Sequence, residues 1–216
     1  MNKTENIPSA TVRRLSLYLR QLEIFQASGR LTVSSKQLGE TLQLSDAQVR
    51  RDLAYFGQFG QPGVGYRAQE LIQRLRRILG TDKSSKIIVV GAGNLGRALI
   101  AFRGLNKHGF EVMAAFDTDG EKIGQRVPTN EGIVIQPISE MAEVVRVGAV
   151  RLGILAVPAS SAQIAATDMV KAGIRGILNF APVTLQVDPS VAVSSVDIGV
   201  HLEQLSFLLS AVVQQT

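Results

Sequence analysis

The sequence predicts an α/β protein in which an N-terminal winged-helix unit, residues 1–80, precedes a C-terminal Rossmann unit, residues 86–197, and a terminal helix, residues 198–216. Three observations predict this. The first third is basic and contains two Ser-x-x-Gln helix starts. After it, a glycine-rich loop joins an apolar run to a helical segment. Apolar and helical segments then alternate to the end of the unit. The polar stretch "GTDKSS" separates the units, and 216 residues are enough for two small domains.

The charge is unevenly distributed along the chain. Residues 1–80 contain 12 Lys+Arg and 6 Asp+Glu, whereas residues 81–216 contain 11 and 12. A basic first third indicates a unit that binds a polyanion, although solvated helical faces are often basic too. The chain has no cysteine, which excludes disulfides, a thiol nucleophile and Cys-ligated zinc. Because no apolar run suits a membrane span or a signal peptide, we expect a cytoplasmic protein without a membrane or metal partner.

The first segment is predicted to be helical. A helix that ends near Gly29 is followed by two short helices, whose capping boxes pair Ser34 with Gln37 and Ser45 with Gln48. The tight turn between those two helices predicts a helix-turn-helix, and the glycine-rich segment after them, residues 57–66, predicts a β-wing. The core face expected for the first helix comprises Val12, Leu15, Leu19, Leu22 and Phe25.

The second capped helix has the pattern of a DNA-recognition helix. At 100° per residue, Val49, Leu53 and Phe56 form its core stripe, and Arg51 points directly away from that stripe. An outward arginine donates to guanine O6 and N7, and small neighbours allow a close approach to the major groove. A solvated face with two arginines is the alternative. The residues around Arg51 on the outer face are Ala47, Ala54, Arg50 and Tyr55.

The stretch "KIIVVGAGNLGRAL" has the pattern of a dinucleotide-binding loop. Gly91 permits a tight turn, Gly93 lets backbone amides approach a pyrophosphate, and Gly96 allows close packing of helix on strand. Asp117 ends the next apolar strand, where a ribose-binding carboxylate is expected. With Asp119 close behind, the two carboxylates disfavour a 2′-phosphate, so the sequence predicts NADH or NAD+ as the ligand and not a 2′-phosphorylated dinucleotide.

The rest of the Rossmann unit is predicted to alternate strands and helices around a parallel sheet covered on both faces. The predicted strands are 87–90, 112–116, 133–135, 152–156, 176–179 and 191–196, and the predicted helices are 95–107, 139–147 and 160–172.

Two apolar stretches, "LAVP" at 155–158 and "LNFAP" at 178–182, suit the neutral nicotinamide of NADH better than the cationic ring of NAD+. Phe102 and Phe180 are candidate rings of that pocket, although ordinary core packing explains either of them alone. The full set of cofactor candidates is Gly91, Gly93, Asn94, Leu95, Gly96, Phe102, Asp117, Val157, Pro158 and Phe180.

The last segment, "IGVHLEQLSFLLSAVV", predicts a helix that is apolar on more than one face. Such a helix is an aggregation liability on a monomer and is expected to be buried in a dimer. The apolar residues are Leu202, Leu205, Phe207, Leu208, Leu209, Val212 and Val213.

Over nearly its whole length the chain resembles the Rex redox-sensing transcriptional repressors. The stretches that carry the resemblance include "PSATVRRLSLYLR", "QVRRDLAYFGQFGQPGVGY", "VGAGNLGRAL", "AFDTDGEKIG", "GIRGILNFAP" and "VDIGVHLEQL". The resemblance implies a homodimer that binds palindromic operator DNA through winged helices, is released by NADH but not by NAD+, and swaps its C-terminal helix between subunits.

The resemblance also implies roles for particular residues. Arg50 and Arg51 match the basic residues of the recognition helix, and Tyr66 matches a wing tyrosine. Arg20 and Asp197 match an interdomain pair made in one state of the dimer; a surface arginine and a helix N-cap aspartate that never meet are the alternative. The candidate DNA-binding residues are therefore Ser35, Ala47, Gln48, Arg50, Arg51, Tyr55, Gly63 and Tyr66.

The sequence departs from the family pattern at three positions. Pro62 stands in the wing in place of a basic residue, which puts the minor-groove contact in doubt. Phe102 replaces a common tyrosine and therefore offers no hydroxyl. Ile198 stands where some members have an aromatic residue. The last two positions bear on how NADH is discriminated from NAD+.

Two other functions are weighed against this one. An NAD-dependent dehydrogenase with a DNA-binding-like accessory domain needs an acid/base at the nicotinamide. All three tyrosines lie in the N-terminal unit, and only His201 is a candidate. A CoA-binding module is the second alternative, and the carboxylate of Asp117 favours a ribose diol over it.

Overall fold

The computed structural model describes residues 7–60, 63–128 and 132–213 of the chain, with side chains up to residue 210. The chain forms two compact units, Met1–Lys83 and Ser84–Thr216. Predicted features at Pro62, Val212 and Val213 lie outside the described residues or side chains.

The N-terminal unit is a helix-turn-helix packed on two further helices, with a very small sheet. Its strands pair antiparallel, Thr32 opposite Arg67 and Val33 opposite Tyr66. The predicted wing is therefore shorter than expected, because no strand begins before Tyr66 in the described part of the glycine-rich segment. In chain order the elements are α1 (Ser9–Ala27), β1 (Thr32–Val33), α2 (Ser35–Leu42), α3 (Asp46–Ala54), β2 (Tyr66–Arg67) and α4 (Ala68–Leu79).

The helix starts follow the capping prediction at α2 and depart from it at α3. At α2 the box is complete, since the Gln37 amide donates to Ser34 Oγ at 3.1 Å and the Ser34 amide to Gln37 Oε1 at 2.8 Å. At α3 the Ser45 hydroxyl accepts from the Gln48 amide, but the Gln48 side chain does not return to the cap. It donates instead to Asp52 at 2.9 Å. The predicted second capping box is therefore wrong in one half.

A buried carboxylate holds α3 on α1. Asp52 is 1% exposed and accepts five hydrogen bonds. Arg14 donates two of them, at 2.5 and 2.7 Å, and the Tyr18 hydroxyl donates a third at 2.7 Å. The others come from Gln48 and Thr11. Burial by itself would raise the pKa of Asp52, but the hydrogen bonds from Arg14, Tyr18 and Gln48 outweigh it and lower that pKa below its ordinary value.

The buried carboxylate of Asp52 also explains why the core face of α1 differs from the predicted one. Val12 is 41% exposed and Leu19 only partly buried, so the predicted stripe is wrong at Val12 and incomplete at Leu19. Thr11 and Tyr18 face inward instead, because Asp52 requires donors at those positions. The buried residues of α1 are Thr11, Leu15, Tyr18, Leu22 and Phe25.

The C-terminal unit is a Rossmann fold with six parallel strands in the order β5-β4-β3-β6-β7-β8. Both faces of the strand formed by residues 85–90 are buried: Ile88 and Val90 pack on one side, and Ile87 and Val89 on the other. The sheet is less fully covered than predicted farther along, where Leu152 and Val193 are partly exposed. The strands are β3 (Ser85–Val90), β4 (Phe110–Asp117), β5 (Ile135–Pro137), β6 (Leu152–Leu155), β7 (Gly176–Asn179) and β8 (Ala192–Ser195). The helices are α5 (Asn94–Ile100), α6 (Gly104–Lys107), α7 (Met141–Gly148), α8 (Ala159–Ala172) and α9 (Ile198–Val213).

Two predicted elements of this unit need correction. The helix expected over 95–107 is two helices, and the Phe102 ring between them occupies the space that a Cβ on Gly104 would need, 2.3 Å from the nearest ring atom. The strand expected over 133–135 joins the sheet two residues later. The preceding residues pair with their own loop, where Arg126 forms an antiparallel bridge with Val134.

The side chains of α9 are exposed in the part of the helix where the structure describes them. Phe207 is 72% exposed, and the other large apolar side chains of the helix up to residue 210 are exposed as well. In the described parts of the chain, no helix combines the length and the apolar character needed to cross a bilayer.

We predict that Asp52→Ala destabilises the N-terminal unit by about 3–5 kcal/mol, because it leaves the inward-facing Arg14 without its counter-charge. Asp46→Ala is the control: this aspartate lies on the same helix, but its ion pair with Arg50 is exposed, so the expected loss is about 1 kcal/mol or less. Amide hydrogen exchange of α1 and α3 in the full chain measures both. Equal protection of α3 in the two variants would contradict the prediction.

The same hydrogen-bond network predicts that the N-terminal unit loses stability at acidic pH. Because the pKa of Asp52 is lower in the folded chain than in the unfolded chain, its contribution is present above the unfolded value of about 3.9 and is lost as the pH falls through the folded value. Asp52→Asn should flatten that part of the pH–stability curve for α1 and α3.

Candidate recognition helix and dinucleotide site

The outer face of α3 carries the residues predicted for DNA contact. Val49 and Leu53 are buried in the core of the N-terminal unit, whereas Ala47, Arg51 and Ala54 are exposed, and Tyr55 follows on the same exposed side. The helix therefore presents a basic side chain between two small residues. This arrangement can donate to base edges while the backbone approaches closely.

The two arginines of α3 have different surroundings. Arg50 forms an ion pair with Asp46 at 2.9 Å and lies 3.5 Å from the Ser35 hydroxyl. Arg51 Nη2 donates to Gln48 Oε1 at 3.0 Å and has no acidic partner within the described residues. Arg51 is thus the better placed of the two to donate to a base edge, and Arg50 lies at the border of that face.

A groove of about 680 Å³ lies beside α3, and Ser35, Arg50, Ala54 and Gly63 line part of it. Tyr66, which matches the family's wing tyrosine, also borders this groove, and its ring is directed into its own unit. It is 8% exposed and belongs to the core of its unit, and burial raises the pKa of its hydroxyl. The ring is held inward because β2 pairs Tyr66 with Val33, which is itself buried.

The glycine loop has the geometry that each of its three glycines was predicted to provide. Gly91 has φ +98°, and a Cβ there would lie 2.4 Å from the Ala156 carbonyl oxygen. A Cβ on Gly96 would lie 1.8 Å from the Gly91 carbonyl oxygen, so α5 packs directly on the loop. A Cβ on Gly93 would meet no atom within 4 Å. This open side of the loop fits the approach of a pyrophosphate, and Asn94 and Leu95 begin α5 beside it.

Asp117 closes the other side of this site at the end of β4. It is 8% exposed, and its Oδ2 accepts from the Ala92 amide of the glycine loop at 2.7 Å. Its Oδ1 accepts from the Asp119 amide at 2.9 Å. Burial alone would raise the pKa of Asp117, but the amides of Asp119 and Ala92 and the ammonium of Lys122 lower it. An ionised carboxylate beside an open glycine loop fits the ribose and pyrophosphate of a dinucleotide.

Lys122 is a residue of this site that the sequence did not reveal. Its Nζ lies 3.4 Å from Asp117 Oδ2 and 3.2 Å from Asp119 Oδ2. The cluster therefore carries one net negative charge rather than two. Repulsion of a 2′-phosphate is correspondingly weaker than two free carboxylates would give.

Arg97 is a second missed residue. Its Nε donates to the Ala92 carbonyl at 3.1 Å and its Nη2 to Gln125 Oε1 at 2.6 Å. It thus ties the glycine loop to the turn after β4. No local pattern marks this role, because Gln125 is 28 positions away along the chain.

The apolar candidates for the nicotinamide are distributed over both faces of the sheet. Val157 packs with the cluster that contains Ile88, and Phe180 with the cluster that contains Ile87. Phe102 is 58% exposed and Pro158 is exposed at the start of α8. The residues predicted to line the nicotinamide pocket therefore do not belong to one buried cluster of this chain.

Asp197, one of the two predicted switch residues, has a local role in the structure. Asp197 Oδ1 accepts from the Val200 amide at 3.2 Å and so caps the start of α9, directly before the exposed Ile198. Arg20 is exposed on α1. The pairing of Arg20 with Asp197 stays a prediction.

Comparison with known proteins places the whole chain among repressors. Residues 6–54 match the family model of a putative DNA-binding protein N-terminus, and residues 82–183 match that of a CoA binding domain. The redox-sensing transcriptional repressor Rex of Carboxydothermus hydrogenoformans is 49% identical over 93% of this chain and 95% of its own. The Rex of Pelotomaculum thermopropionicum is 46% identical over 96% of each chain.

Solved structures agree with the sequence relatives. The crystal structure of RSP in complex with β-NAD+ and operator DNA has a TM-score of 0.89 and 33% identity, and the match covers 95% of this chain and 93% of that one. RSP in complex with β-NADH has a TM-score of 0.85 and 31% identity, with 96% of each chain covered.

We predict that Gly93→Ala impairs NADH binding and that Gly96→Ala impairs stability. The first should leave folding intact but weaken NADH binding, because its methyl group enters the open side of the loop, where φ −74° permits an alanine. The second should destabilise the C-terminal unit, because its methyl group would overlap the Gly91 carbonyl. NADH fluorescence titration and thermal unfolding distinguish them. Wild-type NADH affinity in Gly93→Ala would refute the placement of the pyrophosphate.

Proposed function

The chain belongs to the Rex family of redox-sensing transcriptional repressors, and from its own residues we propose how it acts: α3 binds palindromic operator DNA, and NADH bound at the glycine loop releases it. The proposal rests on one observation: the same chain contains an outward Arg51 on a capped helix-turn-helix and a glycine loop that has Asp117 beside it. Because its full-length relatives are repressors, the chain is not a dehydrogenase.

The DNA contact is proposed to rely on a division between the two arginines of α3. Arg51 donates to guanine in the major groove and supplies sequence discrimination. Arg50 lies at the edge of the face beside Ser35 and contacts phosphate, which contributes affinity without discrimination. Gly63 of the wing and Tyr55 after α3 complete the surface.

The ligand is proposed to be NADH, with NAD+ bound but not releasing DNA. Asp117 accepts hydrogen bonds from the adenosine ribose, and the amides beside Gly93 bind the pyrophosphate. The match to a CoA binding domain reflects a fold of the same Rossmann class, and the ribose-facing carboxylate favours the dinucleotide. When bound, NADH supplies an uncharged nicotinamide in place of the cationic ring of NAD+, and this difference is what the protein senses.

A homodimer is proposed from two apolar surfaces of the C-terminal unit. Helix α9 exposes large apolar side chains along its length, and the sheet carries an apolar groove of about 370 Å³. Surfaces of this kind are rare on monomers and typical of interfaces. We propose that α9 of one chain is buried against a second copy, and that the dimer acts on DNA in the cytoplasm. The groove is lined by residues that include Ile87, Leu105, Phe110, Leu152, Ile154 and Leu178.

We predict that Arg51→Ala abolishes specific operator binding, because each bidentate Arg–guanine contact discriminates by about 1–3 kcal/mol and a dimer uses two. Arg77→Ala on α4 makes the same change in net charge and is the control. Fluorescence anisotropy with a duplex selected by the wild-type protein measures both. Folding and NADH binding should persist in Arg51→Ala. Unchanged operator affinity would exclude α3 as the reading helix.

We also predict that truncation after Asp197 removes dimerisation, since it deletes the exposed apolar helix. Sedimentation of the truncated chain should give monomers or aggregates. A soluble dimer of the truncated chain would contradict the assignment of α9.

A further inference from the structure

The side chain of Gln48 lies between a buried carboxylate and the outward arginine of α3. Its Nε2 donates to Asp52 Oδ1 at 2.9 Å, and its Oε1 accepts from Arg51 Nη2 at 3.0 Å. The spacings of three and four residues place Arg51 and Asp52 on either side of Gln48, each within reach of its side chain. Gln48 therefore connects the core of the N-terminal unit to the surface proposed to read DNA.

The direction of the Gln48 amide follows from the chemistry of its neighbours. Asp52 accepts hydrogen bonds from Arg14 and Tyr18, so it is an acceptor toward Gln48 as well. The NH₂ group of Gln48 must then face Asp52, and its oxygen must face outward. That oxygen meets a guanidinium, which only donates, so both contacts require the same orientation.

Arg51 has fewer side-chain partners to orient it than Arg50 has. Arg50 has the carboxylate of Asp46 and lies near the Ser35 hydroxyl. Among the described residues, the hydrogen bond to Gln48 is the side-chain contact that orients Arg51. It occupies one of five N–H donors, and a bidentate contact with guanine needs two of the remaining four.

We propose that Gln48 is a specificity-determining positioning residue, which holds Arg51 in the orientation that reads guanine. This inference rests on the proposed function, because it requires Arg51 to contact a base. Freezing a long side chain in advance removes part of the entropy cost of binding. Loss of Gln48 should therefore lower discrimination at the base pair that Arg51 reads and should leave binding to non-specific DNA unchanged.

The test compares base-pair profiles of several variants. A palindromic duplex is selected from a random library with the wild-type protein, and each base pair of its half-site is then substituted singly. Affinities for this set, and for a duplex of unrelated sequence, are measured for wild type, Arg51→Ala and Gln48→Leu. The control is Gln73→Leu, the same change at an exposed position of α4.

The expected result for Gln48→Leu is a loss of discrimination of about 3- to 10-fold, confined to the base pair at which Arg51→Ala loses it, with non-specific affinity unchanged. Gln73→Leu should match wild type. Gln48→Glu, which keeps an acceptor but adds a charge that pairs with Arg51 and is repelled by Asp52, should lose more discrimination at that base pair than Gln48→Leu.

Three results would overturn the proposal. An unchanged profile in Gln48→Leu would show that Arg51 needs no positioning. A loss at a different base pair would show that Gln48 contacts DNA itself, and an equal loss on all duplexes would show a purely structural role. If Arg51→Ala also kept a wild-type profile, the proposed function of α3 would fail first, and the two failures are thereby distinguishable.

Discussion

The placement of α3 against α1 in the N-terminal unit depends on one buried carboxylate, Asp52. Asp52 brings a charge into a largely apolar core, where Arg14 and Tyr18 of α1 donate hydrogen bonds to it. A buried charge is tolerated only with several good hydrogen bonds, so the rotation of α3 about its axis is fixed by the need to keep Asp52 inside. The same rotation turns Arg51 outward, one position before Asp52 along the chain. The orientation of the reading face is thus a consequence of where the charge is buried.

The C-terminal unit repeats this principle at its own site. Asp117 is almost as buried as Asp52 and accepts from the Ala92 amide, so it constrains the glycine loop that a dinucleotide must contact. In both units hydrogen bonds lower the pKa of a buried aspartate against the effect of burial, so both carboxylates are charged at neutral pH. Each candidate site is therefore held in place before its ligand arrives, which reduces the ordering cost of binding.

Much of the fold and part of each site could be predicted from local pattern. The Ser34 capping box, the loop glycines and the apolar strands depend on residues that are close together in sequence, and the structure has each of them near its predicted position. The inward polar stripe of α1 could not be predicted, because Tyr18 and Thr11 are buried for a partner more than 30 positions away. Arg97 was missed for the same reason, since its partner Gln125 is 28 positions away. Lys122 lies only three and five positions from Asp119 and Asp117, so its spacing offered a local signal for the ion pairs that the sequence analysis did not use. The burial of Tyr66 could not be predicted either, because it follows from the pairing of Tyr66 with the buried Val33 in the small sheet.

The central claim is that DNA binding at α3 is controlled by the redox state of the dinucleotide. The most direct measurement is the anisotropy of a fluorescent, wild-type-selected operator bound to the full chain, titrated in parallel with NADH and NAD+. We expect NADH to release the DNA at concentrations where NAD+ leaves it bound, while the NADH fluorescence shows binding without oxidation. Release by both dinucleotides at the same concentration, or by neither, would contradict it.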